Sequence, residues 1–389
     1  MITREELRRF NWPIFAAVTL LAGMGLLFIW SASFRSAAEG TGAYAAHPLK
    51  QLLWVAVGLG GFALAVLVDY RTIRRHAYTI YLVLLASLVL VLRFGSGPIK
   101  GWFGVGPLRI QPSEFMKVAY VLVLARCLMY TDQHRRLWGL ALPFLIALAP
   151  MGLILKEPDL GTALVFLPVL FVVLAVAGAR RRHLAAIALL GLAALPVFWQ
   201  TGLINNYQKA RVLGFVFRND PARIRAIGDR LNVRLDTYQQ TQSVLTVGSG
   251  GLAGRGWGRG TQTRYDFLPE DHTDFIFSVI AEESGFAGAT LVLALYLTIG
   301  LFGLRIARGT RDPFGRLVAI GVVALLETQA VINVAVALGL MPVTGLTLPL
   351  VSYGGSSVLT SFIATGLLVN VGMRREEVVA ERDDFEFDD

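Results

Sequence analysis

Apolar runs of about 20 residues recur from one end of the chain to the other, and that pattern limits what it can fold into. Ten can be counted, at roughly 11–33, 48–68, 77–95, 112–130, 139–155, 160–178, 184–201, 275–304, 316–340 and 350–372. Backbone polar groups in hydrocarbon must be bonded internally, so such runs form helices. The expectation is an all-α, polytopic integral membrane protein with ten transmembrane helices. Composition agrees: 16% of residues are charged and mean hydropathy is +0.59, whereas a soluble domain carries about 25% charged residues. The first run is too long for the apolar part of a signal peptide and reads as an anchor. The single cysteine, Cys127, lies inside an apolar run, which excludes a disulfide framework and a cysteine metal site.

The net charge of +9 would suggest nucleic acid in a soluble protein. Here the basic residues follow the loops. With the N-terminus inside, the inner segments hold 18 basic residues, from Arg4, Arg8 and Arg9 through Arg180, Arg181 and Arg182 to Arg374, Arg375 and Arg382. The short outer loops hold 5: Arg35, Lys50, Lys100, Arg109 and Lys156. That bias puts both termini in the cytoplasm and makes the charge a topological signal, with no nucleic-acid partner. The expected divisions are a cytoplasmic N-terminus at 1–10, a membrane domain at 11–372, and an acidic cytoplasmic tail at 373–389 that reads as disordered.

Seven spans precede the segment at about 202–274, so it is extracytoplasmic, between helices 7 and 8. It is far longer than an ordinary loop, and such segments tend to be functional or disordered. Helical, amphipathic stretches run from Asn205 to Gln242, and a glycine-rich part follows from Gly248 to Gly260.

Ionisable residues at membrane depth are costly and point to function. Five places qualify, all on the outer half. Pro112, Ser113 and Glu114 open a helix in a capping pattern, with Lys117 one turn on; Lys117 could bind a diphosphate or simply pair with Glu114. Lys156-Glu-Pro-Asp-Leu-Gly161 is a tight turn with Asp159 as a helix cap, or a polar cluster lining a cavity. Gly248 to Gly260 is a flexible loop, or a backbone that approaches a phosphate or sugar, with Arg255 and Arg259 adding charge. Its loose dinucleotide pattern lacks a preceding strand and is rejected. Asp274 opens the eighth run as a helix cap or a functional acid; Glu282 and Glu283 follow, and at least one must face inward. Gly345 to Ser357, rich in small polar residues, suggests a broken helix or close packing. Glu327 and Asn333 are further buried polar candidates. From residues alone, a lipid-linked anionic substrate fits an enzyme and a transporter equally.

The motifs together resemble the SEDS family (shape, elongation, division and sporulation). The likeness rests on Gln111-Pro-Ser-Glu114 with Lys117, Pro158-Asp-Leu-Gly-Thr-Ala163, Gln242-Ser243 with Gly248-Ser-Gly-Gly251, Phe267-Leu-Pro-Glu-Asp-His-Thr-Asp-Phe275, Ala281-Glu-Glu283 and Pro349-Leu-Val-Ser-Tyr-Gly-Gly-Ser-Ser357. Gly260-Thr-Gln-Thr-Arg-Tyr-Asp-Phe267 is most like the branch that serves cell elongation. The resemblance implies a peptidoglycan glycosyltransferase in the cytoplasmic (inner) membrane that polymerises lipid II into β-1,4-linked glycan on the outer face. It implies a class B penicillin-binding protein as transpeptidase partner, beside other elongation-complex membrane proteins. Asp274 matches the family's essential acid, as general base or as ligand of a divalent cation, Mg2+ or Mn2+. Lys117, Glu114, Trp102, Asp159, Arg109, Glu283 and Ser356 are the expected substrate-binding residues; metal ligands are undetermined. Where the family carries Arg before Trp102, this chain has Gly101, with Lys100 one step away. A lipid II flippase and a non-catalytic scaffold of the wall-synthesis complex are the rival readings. A transporter needs access from both sides and often shows inverted repeats, whereas here the buried charge gathers on one side.

Overall fold

The computed structural model describes residues 4–38, 46–96, 101–104, 109–130, 133–200, 206–218, 220–231, 233, 237–264 and 267–374. Lys100 and the tail beyond Arg374 fall outside these. Helices dominate: α1 Arg4–Arg8, α2 Trp12–Ala38, α3 His47–Leu67, α4 Tyr70–Phe94, α5 Pro112–Leu128, α6 Ala141–Lys156, α7 Leu160–Ala177, α8 Arg181–Gln200, α9 Asn206–Val216, α10 Pro221–Leu231, α11 Tyr238–Ser249, α12 Thr261–Arg264, α13 Ile276–Gly309, α14 Pro313–Ala337 and α15 Gly355–Arg374. Among the described residues, eight are long and apolar enough to cross a membrane. The other two expected runs are helical as well, as α5 and α8. The protein is a multi-pass membrane protein.

Helix ends fall where local chemistry puts them. Proline opens α3, α5 and α14, where the missing N–H costs nothing. Asp69, Asp159 and Asp312 cap α4, α7 and α14 by accepting from Arg71, Thr162 and Gly315 backbone N–H groups. At the other end of α3, Asn370 Nδ2 donates to the carbonyls of Ala65, Val66 and Val68, and Arg374 to those of Val66 and Leu67. These orphan carbonyls would otherwise be buried without partners. Arg374 also meets Glu6 of α1 at 3.2 Å, both buried.

α14 and α15 form the buried centre. α15 lies along α3, α13 packs on α14 and α2, and α14 packs on α7 and α5. The span expected at 350–372 is shorter at its start than the sequence suggests. Residues 338–354 leave α14 in turns and extended backbone, and helix resumes only at Gly355. Non-helical backbone at membrane depth survives only when protein satisfies it. That is the case here. Arg218 donates to the Gly339 carbonyl, Gln240 to Met341, Asn333 to Leu346, Tyr296 to Pro349 and Gln51 to Ser352.

The long segment after α8 is not an unstructured loop. It carries α9 to α12, and α11 packs on α13 and α14. Ser243 of α11 donates to the Ala337 carbonyl and meets Ser278 Oγ of α13 at 2.8 Å. The stretch around 220–236, which spacing leaves unexplained, begins as the amphipathic helix α10 packed on α9; the residues from 234 to 236 lie outside the described ones.

Candidate active site

Asp274 sits two residues before α13, at the end of a turn that begins near Leu268. Its backbone is held from two sides. Asn333 Nδ2, 1% exposed on α14, donates to the Asp274 carbonyl at 2.9 Å and to the Leu346 carbonyl at 2.7 Å. One residue back, the Thr273 carbonyl accepts from Ser352 Oγ at 2.6 Å, and the His272 carbonyl accepts from the Tyr353 N–H. The turn carrying the acid is thus tied to the irregular 338–354 segment, and its side chain is left partly exposed.

That carboxyl is pushed up to about 6. Burial is the main cause, followed by the like charge of Glu270; Arg211 opposes it, Asp159 adds to it, and His272 opposes it. Asp274 and Asp159 therefore lie within electrostatic reach of each other, although they belong to different turns. Burial also raises Asp159, against the pull of its bonds to Thr162.

Asp159 opens into a connected polar set. Its Oδ2 accepts from Gln111 Nε2 at 3.3 Å, and the Gln111 N–H donates to Ser356 Oγ at 3.0 Å. Ser356 Oγ is 3.5 Å from the Arg109 carbonyl, to which it can donate. One turn into α5, Lys117 Nζ donates to Glu114 Oε1 at 2.8 Å, and Thr360 Oγ1 reaches Glu114 Oε2 at 3.4 Å. Asp159 feels both members of that pair. The structure thus gathers Asp274, Asp159, Glu114, Lys117 and Ser356. It adds Gln111 and Arg211. Of the two alternatives for Lys117, the pairing with Glu114 is present.

Three expected residues are placed differently. Arg109 contributes its carbonyl, and its side chain is exposed. Trp102 lies in a small antiparallel turn, bridged to Ser96 beside the Phe103–Ile110 bridge. Among the described residues it makes no hydrogen bond into the polar set. Glu283 lies nine residues beyond Asp274, about 13 Å along a helix, and serves another purpose. Its Oε1 accepts from Ser31 Oγ of α2 at 2.5 Å. Its neighbour Glu282 accepts at Oε1 from the backbone N–H groups of Thr261 and Gln262 at 2.7 and 3.0 Å.

These two acids anchor the glycine-rich segment, several of whose N–H groups bond protein oxygens. α13 is broken at Gly285 (φ +68°), which frees carbonyls that a helix would use. The Arg255 and Gly256 N–H groups donate to the Glu282 and Glu283 carbonyls, and the Phe286 and Ala287 N–H groups donate to Gly251 and Leu252. A Cβ on Gly250 would lie 1.9 Å from the Ala281 carbonyl oxygen, so only glycine permits the approach. Gly258 N–H and Trp257 Nε1 reach on to Ser31 and Leu27 of α2. Asp271 bonds His272 Nδ1 at 3.0 Å.

Among the described residues, no three of His, Cys, Asp or Glu lie close enough together to hold a metal ion. No chemical step is therefore assigned to the expected divalent cation.

The fold and this set of acids and a lysine define a polytopic membrane protein with a polar site among its helices. A family profile described as "Cell cycle protein", of the FtsW, RodA and SpoVE type, matches residues 11–377. The chain belongs to that family, the SEDS proteins. It is 34% identical to the peptidoglycan glycosyltransferase RodA of Treponema pallidum, over 94% of this chain and 98% of that one. It is 36% identical to the stage V sporulation protein E of Bacillus subtilis, over 90% and 94%. The crystal structure of the rod shape determining protein RodA of Thermus thermophilus matches with a TM-score of 0.68 at 32% identity, over 94% of this chain and 97% of that one. A chain solved in work on "structural coordination of polymerization and crosslinking by a peptidoglycan synthase complex" matches with a TM-score of 0.76 at 33% identity, over 94% and 98%.

Proposed function

We propose that this protein is a peptidoglycan glycosyltransferase that polymerises lipid II into β-1,4-linked glycan at the outer face of the inner membrane, for cell elongation. The observation that carries the reading is the placement of Asp274. It is a partly buried carboxyl on a turn whose backbone is held by Asn333, Ser352 and Tyr353; it feels the charge of Asp159, which in turn feels the Lys117–Glu114 pair. Relatives named peptidoglycan glycosyltransferase support the activity.

In this mechanism Asp274 accepts the proton of the acceptor sugar hydroxyl as its oxygen attacks the anomeric carbon of the lipid-linked donor. The new glycosidic bond forms as the bond from that carbon to the diphosphate breaks. The electron pair leaves with the diphosphate. Lys117 keeps two ammonium donors beyond the one given to Glu114, and these meet the departing charge. Glu114 holds Lys117 in place; Asp159 and Ser356, tied through Gln111, set the wall between the two centres. Trp102 and the exposed Arg109 are assigned to substrate binding in this reading.

The reading includes ten spans, both termini in the cytoplasm and the 202–274 segment outside, which the basic-residue bias supports. It also includes a class B penicillin-binding protein that crosslinks the product, which the structural likeness to a chain of a peptidoglycan synthase complex supports. The test is reconstitution of the wild-type protein with that partner and labelled lipid II. Glycan polymer is expected. Lipid movement across vesicles without polymer would move the protein to the flippase class.

A further inference from the structure

The turn bearing Asp274 faces a slot at Gly345. A Cβ placed on Gly345 would lie 3.8 Å from Asp274 Oδ2 and 3.6 Å from Arg211 Nη1, so the carboxylate and the guanidinium flank the same empty volume. Gly345 holds φ at +77°, which favours glycine and keeps the slot open. Arg211 is carried by α9, and α9 is docked where this matters. Arg218, two turns on, donates to the Gly339 carbonyl at 2.6 Å, and Ala210 is 4% exposed.

The charges around Asp274 come from three places. Its own turn contributes Glu270 and His272, the turn between α6 and α7 contributes Asp159, and α9 contributes Arg211. α14 offers only the neutral Asn333 amide, bonded to the Asp274 carbonyl. From the 338–354 segment the one titratable neighbour is Tyr353, edge-on to the His272 ring at 5.7 Å. Two carboxylates thus crowd a third, and Arg211 is the group there whose positive charge does not depend on pH.

We propose that Arg211 is the positioning residue of Asp274: it offsets Glu270 and Asp159, keeps the carboxylate ionised and aims it into the Gly345 slot. This deepens the glycosyltransferase reading and rests on it. It also makes the base depend on the outer segment.

The test compares wild type, Arg211→Ala and Arg211→Lys. The rate of lipid II polymerisation by the complex with the transpeptidase is followed between about pH 5 and 9. Removing an opposite charge at this range moves a carboxyl by about one unit or more. The acid limb of kcat/KM is therefore expected to move up in Arg211→Ala, with about a tenfold loss near pH 6 and only a small loss near pH 9. Arg211→Lys falls between. An equal loss at every pH, with the limb unmoved, would overturn the proposal and make Arg211 a substrate-binding or merely structural group. Infrared difference spectra against Asp274→Asn read the same protonation without turnover. If wild type makes no polymer, a carboxyl band that persists to higher pH in Arg211→Ala still supports the proposal, and an unchanged band overturns it.

Discussion

Lys117 Nζ donates to Glu114 Oε1 at 2.8 Å, one turn apart on α5 and with 2% and 5% of their surfaces exposed. Removing one partner of such a pair leaves the other charge buried and alone, which costs about 3–5 kcal/mol. Lys117→Ala is therefore expected to lower the thermal midpoint strongly, and the double variant with Glu114→Ala should recover much of it. Polymerisation should stay lost in both. A double-mutant cycle by thermal unfolding in detergent, beside a polymerisation assay, separates the two roles. Additive stability losses would contradict the pairing.

Asn333 ties the Asp274 carbonyl to the Leu346 carbonyl through one amide nitrogen. Asn333→Ala leaves two buried acceptors without a donor, at about 1–3 kcal/mol each. Asn333→Asp is worse, because a carboxylate faces two carbonyls. The polymerisation rate should fall in the order wild type, Ala, Asp, with lipid II binding less affected than turnover. A binding measurement alongside the rate checks this.

The carboxyl of Asp274 lies at about 6 in the resting protein. Activity that needs its ionised form is therefore lost as pH falls through about 6 and is fully present above it. Asp159 is one of the like charges that raise it. If Asp159→Asn keeps measurable activity, its acid limb should lie at lower pH than that of the wild type. A limb shifted upward would contradict the electrostatic reach between the two acids.

Glu157 is 1% exposed, and neither of its carboxylate oxygens has a hydrogen-bond partner in the described structure. Burial, then the charge of Asp159, pushes it up to about 8 from an ordinary 4.5. The folded protein thus holds its proton longer than the unfolded chain. Its contribution to stability is complete below about 4.5 and is lost as pH rises through about 8. Glu157→Gln, which stays neutral, should match the wild type near pH 5 and melt at a higher temperature near pH 9. Identical pH profiles of the thermal midpoint would contradict the buried acid.

Much of this could be read from the sequence, and the limits have physical causes. The spans were legible because hydrocarbon demands internally bonded helices. Glu114 and Lys117 were legible because a spacing of three on a helix forces contact, and Asp159 because caps have a local signature. The role of Glu283 was not. Helical spacing says that it faces inward but not which helix it meets, and it meets Ser31, 252 positions away in the chain. Arg211 was one of several basic residues on the long segment before α13, and only the placement of its side chain over Gly345 singles it out. The glycine-rich segment was not legible for the same reason: several of its N–H groups serve carbonyls freed by the break at Gly285.

The most direct measurement is polymerisation of labelled lipid II by this protein together with the proposed class B penicillin-binding protein, wild type against Asp274→Asn. The variant keeps the backbone bonds to Asn333 and the shape of the side chain, so it should fold, melt and bind its partner like the wild type. It is expected to form no glycan polymer at any pH. Polymer from Asp274→Asn at the wild-type rate would remove this carboxylate from the chemistry.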